Sequence, residues 1–237
     1  MRPKHKSPAF HRDMALYSLL ASSGCRPFEA LQLRVNDIDV KNFKVFIRNP
    51  FKGKISGLTE AEKKKLDWKG RQIEDTFLIA PFDHYFWDHL RLYLQSFYKT
   101  NVNHDFLFQK QNGRPYYTID RSTRNKRFKT YASHSGYHDP KVGLKGFRHM
   151  YGRYLLNYFP TDQGFGMPIA YVKILMGHAS LSSTEKYAIH DNDLLNLYIE
   201  TANRQIHQEM VSLEEIKLRY IDEKIKKLEE YRRIIDV

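Results

Sequence analysis

The 237-residue chain has a single cysteine. Cys25 alone excludes an internal disulfide and fits a reducing compartment. No apolar run approaches the ~18 residues of a membrane span. The charged start, Met1-Arg2-Pro3-Lys4-His5-Lys6, is not followed by the apolar stretch of a signal peptide. Paired C-x-x-C motifs, H-E-x-x-H, G-x-x-x-x-G-K-[ST] and a helix-opening G-x-G-x-x-G are all missing, which argues against a zinc module, a P-loop NTPase and a dinucleotide enzyme. There is no internal repeat and no low-complexity linker. From Leu194 to Val237 neither glycine nor proline occurs.

What is present is a core and a surplus of positive charge. Hydrophobic residues make up 41% and aromatics 14%, enough to fill a folded interior and unlike a disordered composition. Thirty-nine Lys plus Arg stand against 27 Asp plus Glu, a net charge of +12. Such a balance favours a polyanionic partner such as DNA, RNA or an anionic membrane.

Periodicity predicts a mainly α chain with a small antiparallel β-hairpin or sheet. Apolar groups at 14, 16, 19 and 20 give a helix over 13–23, ended by Gly24. Pro27 suits the first turn of the next helix, with Phe28, Leu31 and Leu33 facing inward, and 35–39 reads as its closing turn. Residues 43–48 alternate like a strand stopped by Asn49-Pro50, and 76–80 reads as its partner. The connection 51–75 is long and basic, with a capping-box signature at Thr59 and Glu62 that predicts a short helix. Helices follow over 83–99, 120–131, 150–158 and 168–176. The fourth quarter ends in residues 194–237, read as a helical tail that is either an ordinary terminal helix or one docked on a neighbouring protomer. The expected domains are therefore 1–193 and 194–237.

One stretch carries chemistry. Leu175 to Tyr187 displays His178 just after Gly177 and places Tyr187 nine residues later, beyond Ser182, Ser183, Thr184 and Glu185, which suit a helix start. A phenol is a slow nucleophile unless cations stabilise its phenolate and the charge on its target. Cations stand at Arg26, Lys145 and Arg148 and along the hairpin. Two guanidiniums, a histidine and a lysine can together hold a phosphate's non-bridging oxygens and protonate a leaving oxygen.

The three boxes carry a resemblance. Gly24-Cys25-Arg26-Pro27-Phe28-Glu29-Ala30-Leu31 resembles the first arginine box of the tyrosine recombinase (phage integrase) family, G-x-R-x-x-E-hydrophobic. Leu144-Lys145-Gly146-Phe147-Arg148-His149 resembles its H-x-x-R box and the histidine after it. Leu175-Met176-Gly177-His178 through Tyr187 resembles its L-G-H box and nucleophilic tyrosine. The order agrees, and the likeness spans residues ~13 to 190. It implies a site-specific DNA recombinase or integrase that cuts and rejoins double-stranded DNA through a 3′-phosphotyrosine link, with no metal or high-energy cofactor. Tyr187 would be the nucleophile, Arg26, Arg148 and His178 the phosphate-activating residues, and Glu29 and His149 supporting residues. A type IB topoisomerase-like nicking enzyme and a DNA-binding protein with a decayed site are the rival readings.

Two departures qualify the likeness. Lys145 stands where the box has histidine, and a lysine with pKa near ~10.4 is a poor base at neutral pH unless desolvated. The general-acid lysine of the hairpin is open between Lys52, Lys54 and Lys69, with Lys69 preferred. Lys52, Lys54, Arg71, Arg121, Arg124, Lys126 and Arg127 are the expected DNA contacts. The family's N-terminal DNA-clamping domain does not precede the boxes, so the chain reads as a fragment or as a short recombinase. Homo-oligomers from dimer to tetramer on DNA are expected, in the cytoplasm of a prokaryote carrying the gene itself or on a mobile element, with no membrane partner.

The charge balance generates a first prediction. Affinity for duplex DNA should fall steeply and log-linearly with salt, because phosphate contacts release counterions. A flat response in a fluorescence-anisotropy titration series would contradict it.

Overall fold

The computed structural model describes residues 9–53, 55–71, 74–139, 141–161, 164–178 and 180–185, with 222, 225 and 229. By its contacts the chain divides into two units, residues 1–189 and 190–237. In the second unit the described residues Asp222, Ile225 and Glu229 are helical and exposed. The helical tail expected over 194–237 otherwise lies outside the described residues.

The first unit is built around α1 (Phe10–Ser23), which buries Ala15, Leu16, Leu19, Leu20 and Ala21. It ends where Gly24 takes a left-handed conformation (φ 58°) and donates its N–H to the Leu20 carbonyl at 3.1 Å. Helix α2 (Pro27–Leu31) starts three residues later with proline at its first position. The chain then makes a 3-10 turn at Val35–Asp37, in which the Asp37 carboxylate accepts the Arg34 N–H at 2.8 Å.

The sheet differs from the expected hairpin. Residues 38–39, expected as part of a closing turn, form strand β1 (Ile38–Asp39). It pairs antiparallel with β2 (Lys44–Phe46), Ile38 opposite Val45. The strand β3 (Asp75–Thr76) pairs with the other edge of β2, Val45 opposite Thr76, giving a three-stranded sheet. Val45 is the reason for this centre: it is fully buried and so fixes which face meets the core. The strands are shorter than expected, and Phe77, expected in the second strand, is exposed. Between β2 and β3 the predicted short helix is present as α3 (Glu60–Lys63). Its cap is reciprocal: Thr59 Oγ1 accepts the Glu62 N–H at 3.3 Å while Glu62 Oε2 accepts the Thr59 N–H at 2.9 Å.

Helix α4 (Phe82–Ser96) packs along α1, burying Phe86, Leu90 and Tyr93. The piece 106–108 is buried at all three positions and bonds back to the segment after α2, Leu107 N–H to the Leu33 carbonyl at 2.8 Å. Helix α5 (Arg121–His134) buries no residue fully. Helix α6 (Lys145–Asn157) starts five residues earlier than periodicity suggests and packs against α1. A short antiparallel pair, β4 (Pro160–Thr161) and β5 (Gly164–Phe165), leads to α7 (Ile169–Met176) and α8 (Ser182–Glu185). Tyr151 and Leu155 of α6 and Val172 and Met176 of α7 form a second, smaller buried cluster. The helix-rich architecture with a small antiparallel sheet agrees with the expected fold class.

The α5 helix is attached by half-buried aromatics, Phe128 and Tyr131 packed against the core beside Tyr17, and also by charge. Asp13, fully buried on α1, receives the Arg12 guanidinium at 2.6 Å, Arg127 Nε at 2.5 Å and the Tyr131 hydroxyl at 3.2 Å. Arg12 is itself buried, donates to the Gln109 carbonyl at 2.9 Å, and lies 3.7 Å from the Tyr116 ring centre. Removing the carboxylate strands the Arg12 charge in the interior. Asp13→Ala is therefore expected to cost ~3–5 kcal/mol in urea unfolding; a loss under ~1 kcal/mol would show that the network carries no such weight.

Candidate active site

The turn between α1 and α2 brings the first cation into place. Arg26 precedes Pro27, and its backbone N–H donates to Glu29 Oε2 at 2.7 Å. Its guanidinium reaches Glu29 Oε1, also at 2.7 Å. Glu29 is 3% exposed, so its charge is held out of water by these bonds. The turn needs glycine at position 24 for two reasons. Its φ is left-handed, and a Cβ there would lie 2.2 Å from Tyr151 Cδ1. The α6 helix thus crosses directly over the turn.

That crossing delivers Arg148. Its side chain is buried, with Nη1 donating to the Gly24 carbonyl at 2.7 Å and Nη2 to the Met176 carbonyl at 2.8 Å. Met176 is the last residue of α7, so the guanidinium meets the negative end of that helix. One side chain on α6 therefore ties the turn before α2 to the end of α7.

Position 71 joins the same group. Arg71 Nη1 lies 3.4 Å from Glu29 Oε2, and Nη2 donates to the Leu175 carbonyl at 3.0 Å. Its side chain has no exposed area. The adjoining Gly177 caps α7 with φ 63°, and a Cβ there would come 2.7 Å from Arg71 Cγ. His178 follows, buried, with Nδ1 2.8 Å from the Thr184 hydroxyl of α8, a bond that fixes the ring's orientation.

Arg26, Glu29, Arg148 and His178 are thus brought together across α2, α6 and the α7–α8 turn. Tyr187 and Lys54 lie outside the described residues. Lys69 is exposed, with Nζ 5.8 Å from the Phe28 ring centre, so it stands beside α2. Lys52 instead lies 3.9 Å from Glu74 with its side chain 75% exposed. Lys145 opens α6 one turn before Arg148 and is exposed. His149, expected to pack the site, is exposed on α6.

Three of the expected DNA contacts face inward instead. Arg71 belongs to the buried group just described. Arg124 donates to the carbonyls of Tyr117 and Ile119, fastening the start of α5 to the preceding turn. Arg127 is committed to Asp13. Each sits in a run of basic residues, where sequence alone does not tell an inward arginine from an outward one. Arg121 and Lys126, by contrast, are exposed on α5.

Sequence reasoning also passed over two neighbours of the site. Burial, followed by the Glu29 carboxylate, pushes the Cys25 thiol up to about 11. Burial likewise raises the Tyr151 phenol above its ordinary value, opposed by Arg71 and Arg148, and its hydroxyl has no hydrogen-bond partner among the described residues. Among the described residues no group of three or more His, Cys, Asp or Glu side chains could hold a metal ion. Guanidiniums meeting around one carboxylate and the end of a helix suit a tetrahedral oxyanion, whose oxygens accept forked N–H donors.

Comparison with known proteins shows what the chain is similar to in sequence and fold. The model of the phage integrase family matches residues 2–193. Tyrosine recombinase XerC of Bacillus subtilis (strain 168) is 29% identical over 200 residues, covering 81% of this chain and 54% of that protein. Tyrosine recombinase XerD of Vibrio cholerae serotype O1 is 26% identical over 185 residues, covering 78% and 51%. The chain spans about half the length of the curated relatives it matches. Among solved structures, the XerH site-specific recombinase bound to difH substrate in a pre-cleavage complex superposes with a TM-score of 0.57 at 19% identity, over 84% of this chain and 49% of that one. The Tn1549 transposon integrase with a circular intermediate DNA gives 0.55 at 18%, over 82% and 60%. At these identities the likeness shows the fold.

The setting of Cys25 gives a direct check on the packing behind the site. Thiolate is the reactive form, and with a pKa of about 11 only about one part in a thousand is thiolate at pH 8. The native protein should resist an aromatic disulfide reagent at that pH and release one equivalent only on unfolding. Rapid stoichiometric labelling of the native chain would contradict the burial.

Proposed function

The chain belongs to the phage integrase family, and we propose that it is a site-specific tyrosine recombinase that cuts and rejoins double-stranded DNA. The observation that carries the proposal is the junction of α2, α6 and α7. There Glu29 holds Arg26, and Arg148 is fixed between the Gly24 and Met176 carbonyls, one residue from the Gly177-His178 turn. Such a preset array stabilises charge that develops on phosphate without having to reorganise during the reaction. The relatives named as tyrosine recombinases, and neighbours solved with DNA, support the same reading.

In this mechanism Tyr187 gives its phenolic proton to water and its oxygen attacks phosphorus. Arg26, Arg148 and His178 take the non-bridging oxygens, and Lys145, at the head of α6, clamps the same phosphate. The P–O5′ bond breaks with its electron pair on O5′, which takes a proton from the Lys69 ammonium. The product is a 3′-phosphotyrosine ester and a free 5′-hydroxyl. Attack by the 5′-hydroxyl of a partner strand reverses the step and reseals the DNA. Geometry favours Lys69 over Lys52 as the acid, because Lys69 stands beside α2 while Lys52 lies near Glu74. The exposed Lys52, Arg121 and Lys126, together with Lys54, supply phosphate contacts along the duplex. Protomers assemble on paired sites as dimers to tetramers, with residues 1–193 as the catalytic domain and 194–237 as a tail that docks on a neighbour. Among the described residues no helix is long and apolar enough to cross a membrane, and we place the protein in the cytoplasm with its DNA.

On a nicked duplex that loses the short 5′-hydroxyl strand, the wild type should accumulate a covalent protein–DNA adduct visible on a denaturing gel. Tyr187→Phe should form none while binding the same duplex unchanged. Arg148→Ala should slow adduct formation by ~10²–10³-fold and weaken binding far less. An adduct with the Phe variant, or equal losses of rate and affinity in the Ala variant, would sink the assignment.

A further inference from the structure

Arg71 stands apart from the other basic residues of the 51–75 connection. The lysines around it, Lys52, Lys64, Lys65 and Lys69, are exposed, whereas the Arg71 side chain has no exposed area. It reaches two different elements at once. Nη1 meets Glu29 on α2 at 3.4 Å, and Nη2 donates to the Leu175 carbonyl in α7 at 3.0 Å. Gly177 leaves the room it occupies, since a side chain there would come 2.7 Å from Arg71 Cγ and 3.1 Å from Nη1. The glycine before His178 therefore serves two needs, the left-handed helix cap and the passage of this guanidinium.

We propose that Arg71 is a positioning residue that locks the lysine-bearing arm of the β2–β3 connection onto the active site. Lys69 lies two residues before it in the chain. With Arg71 anchored to Glu29 and Leu175, the backbone at 69 is held beside α2, and the Lys69 Nζ is found 5.8 Å from the ring centre of Phe28, a residue of α2. The same anchor touches the carbonyl of Leu175, three residues before His178. Gln32 holds the arm on the other side of Lys69 through two 2.9 Å bonds to the Asp67 backbone, and the Arg71 guanidinium is the tether that links the arm to the Arg26–Glu29 pair and to the histidine turn. A lysine at 71 cannot replace it, because a single ammonium does not present a planar fork to two acceptors on separate elements. The inference rests on the recombinase reading above, with Lys69 as the acid that protonates O5′.

The test separates positioning of the acid from binding of the phosphate. Two suicide duplexes are compared, one with the ordinary oxygen at the scissile 5′ position and one with sulfur in its place. Cleavage of the second expels a thiolate, which needs no proton because thiols have a pKa of ~8.5, far below that of an alcohol. With full-length protein, Lys69→Ala and Arg71→Lys should both slow adduct formation on the oxygen ester, Arg71→Lys by ~10²-fold as for a misplaced catalytic group. Both should recover to near wild-type rates on the sulfur ester, while Arg148→Ala stays slow on both. The oxygen-to-sulfur rate ratio does not depend on how much of a variant is folded, so a partial folding defect does not mask the result. An Arg71→Lys variant equally slow on both esters, or as fast as wild type on both, would overturn the positioning role. A wild type that forms no adduct on either ester would instead overturn the recombinase reading itself.

Discussion

The buried carboxylate of Glu29 is where the site is assembled. It accepts the backbone N–H of Arg26, pairs with the Arg26 guanidinium and meets Arg71 from the long basic connection. Taking such a charge out of water costs several kcal/mol, and only close, hydrogen-bonded partners offset the cost. The carboxylate therefore cannot be buried without drawing both arginines to it, and the arginines cannot converge without it. Segments far apart in the chain, α2 and the arm before β3, are joined at one point by this requirement.

A second constraint is steric. Gly24 and Gly177 both adopt left-handed conformations at helix ends, and at both a side chain would collide with a residue of the site, Tyr151 in one case and Arg71 in the other. These two close approaches let Arg148 reach carbonyls at both helix ends, so that the smaller cluster of α6 and α7 is tied to the turn that closes α1. The positive array is held by short bonds to main-chain and carboxylate oxygens rather than by flexible surface side chains. That rigidity is what stabilisation of a transient phosphorane-like state demands.

The short-range parts of this arrangement were legible in the sequence. The helices from α1 to α7, apart from the early start of α6, and the cap at Thr59 and Glu62 follow from spacing within a few residues, and the boxes holding Arg26, Glu29, Arg148 and His178 from their resemblance to the family's motifs. What was not legible depends on contacts between distant segments. Ile38–Asp39 is too short to show a strand period, and it is one because Val45 presents it with an edge. Arg71, Arg124 and Arg127 lie in basic runs whose composition suits a DNA surface. Their inward direction comes from Glu29, from the carbonyls of Tyr117 and Ile119, and from Asp13, partners up to 114 positions away. The exposure of His149 has the same origin, since the face of α6 that turns inward is set by the packing of Arg148 and Tyr151.

The central claim is that this array exists to activate a phosphodiester toward one tyrosine. The most direct measurement is peptide mass mapping of the covalent adduct trapped on a nicked duplex, after nuclease trimming of the DNA. The account predicts a nucleotide carried through its 3′-phosphate on the phenol of Tyr187. A nucleotide mapped to any other residue, or joined through a 5′-phosphate, would contradict it.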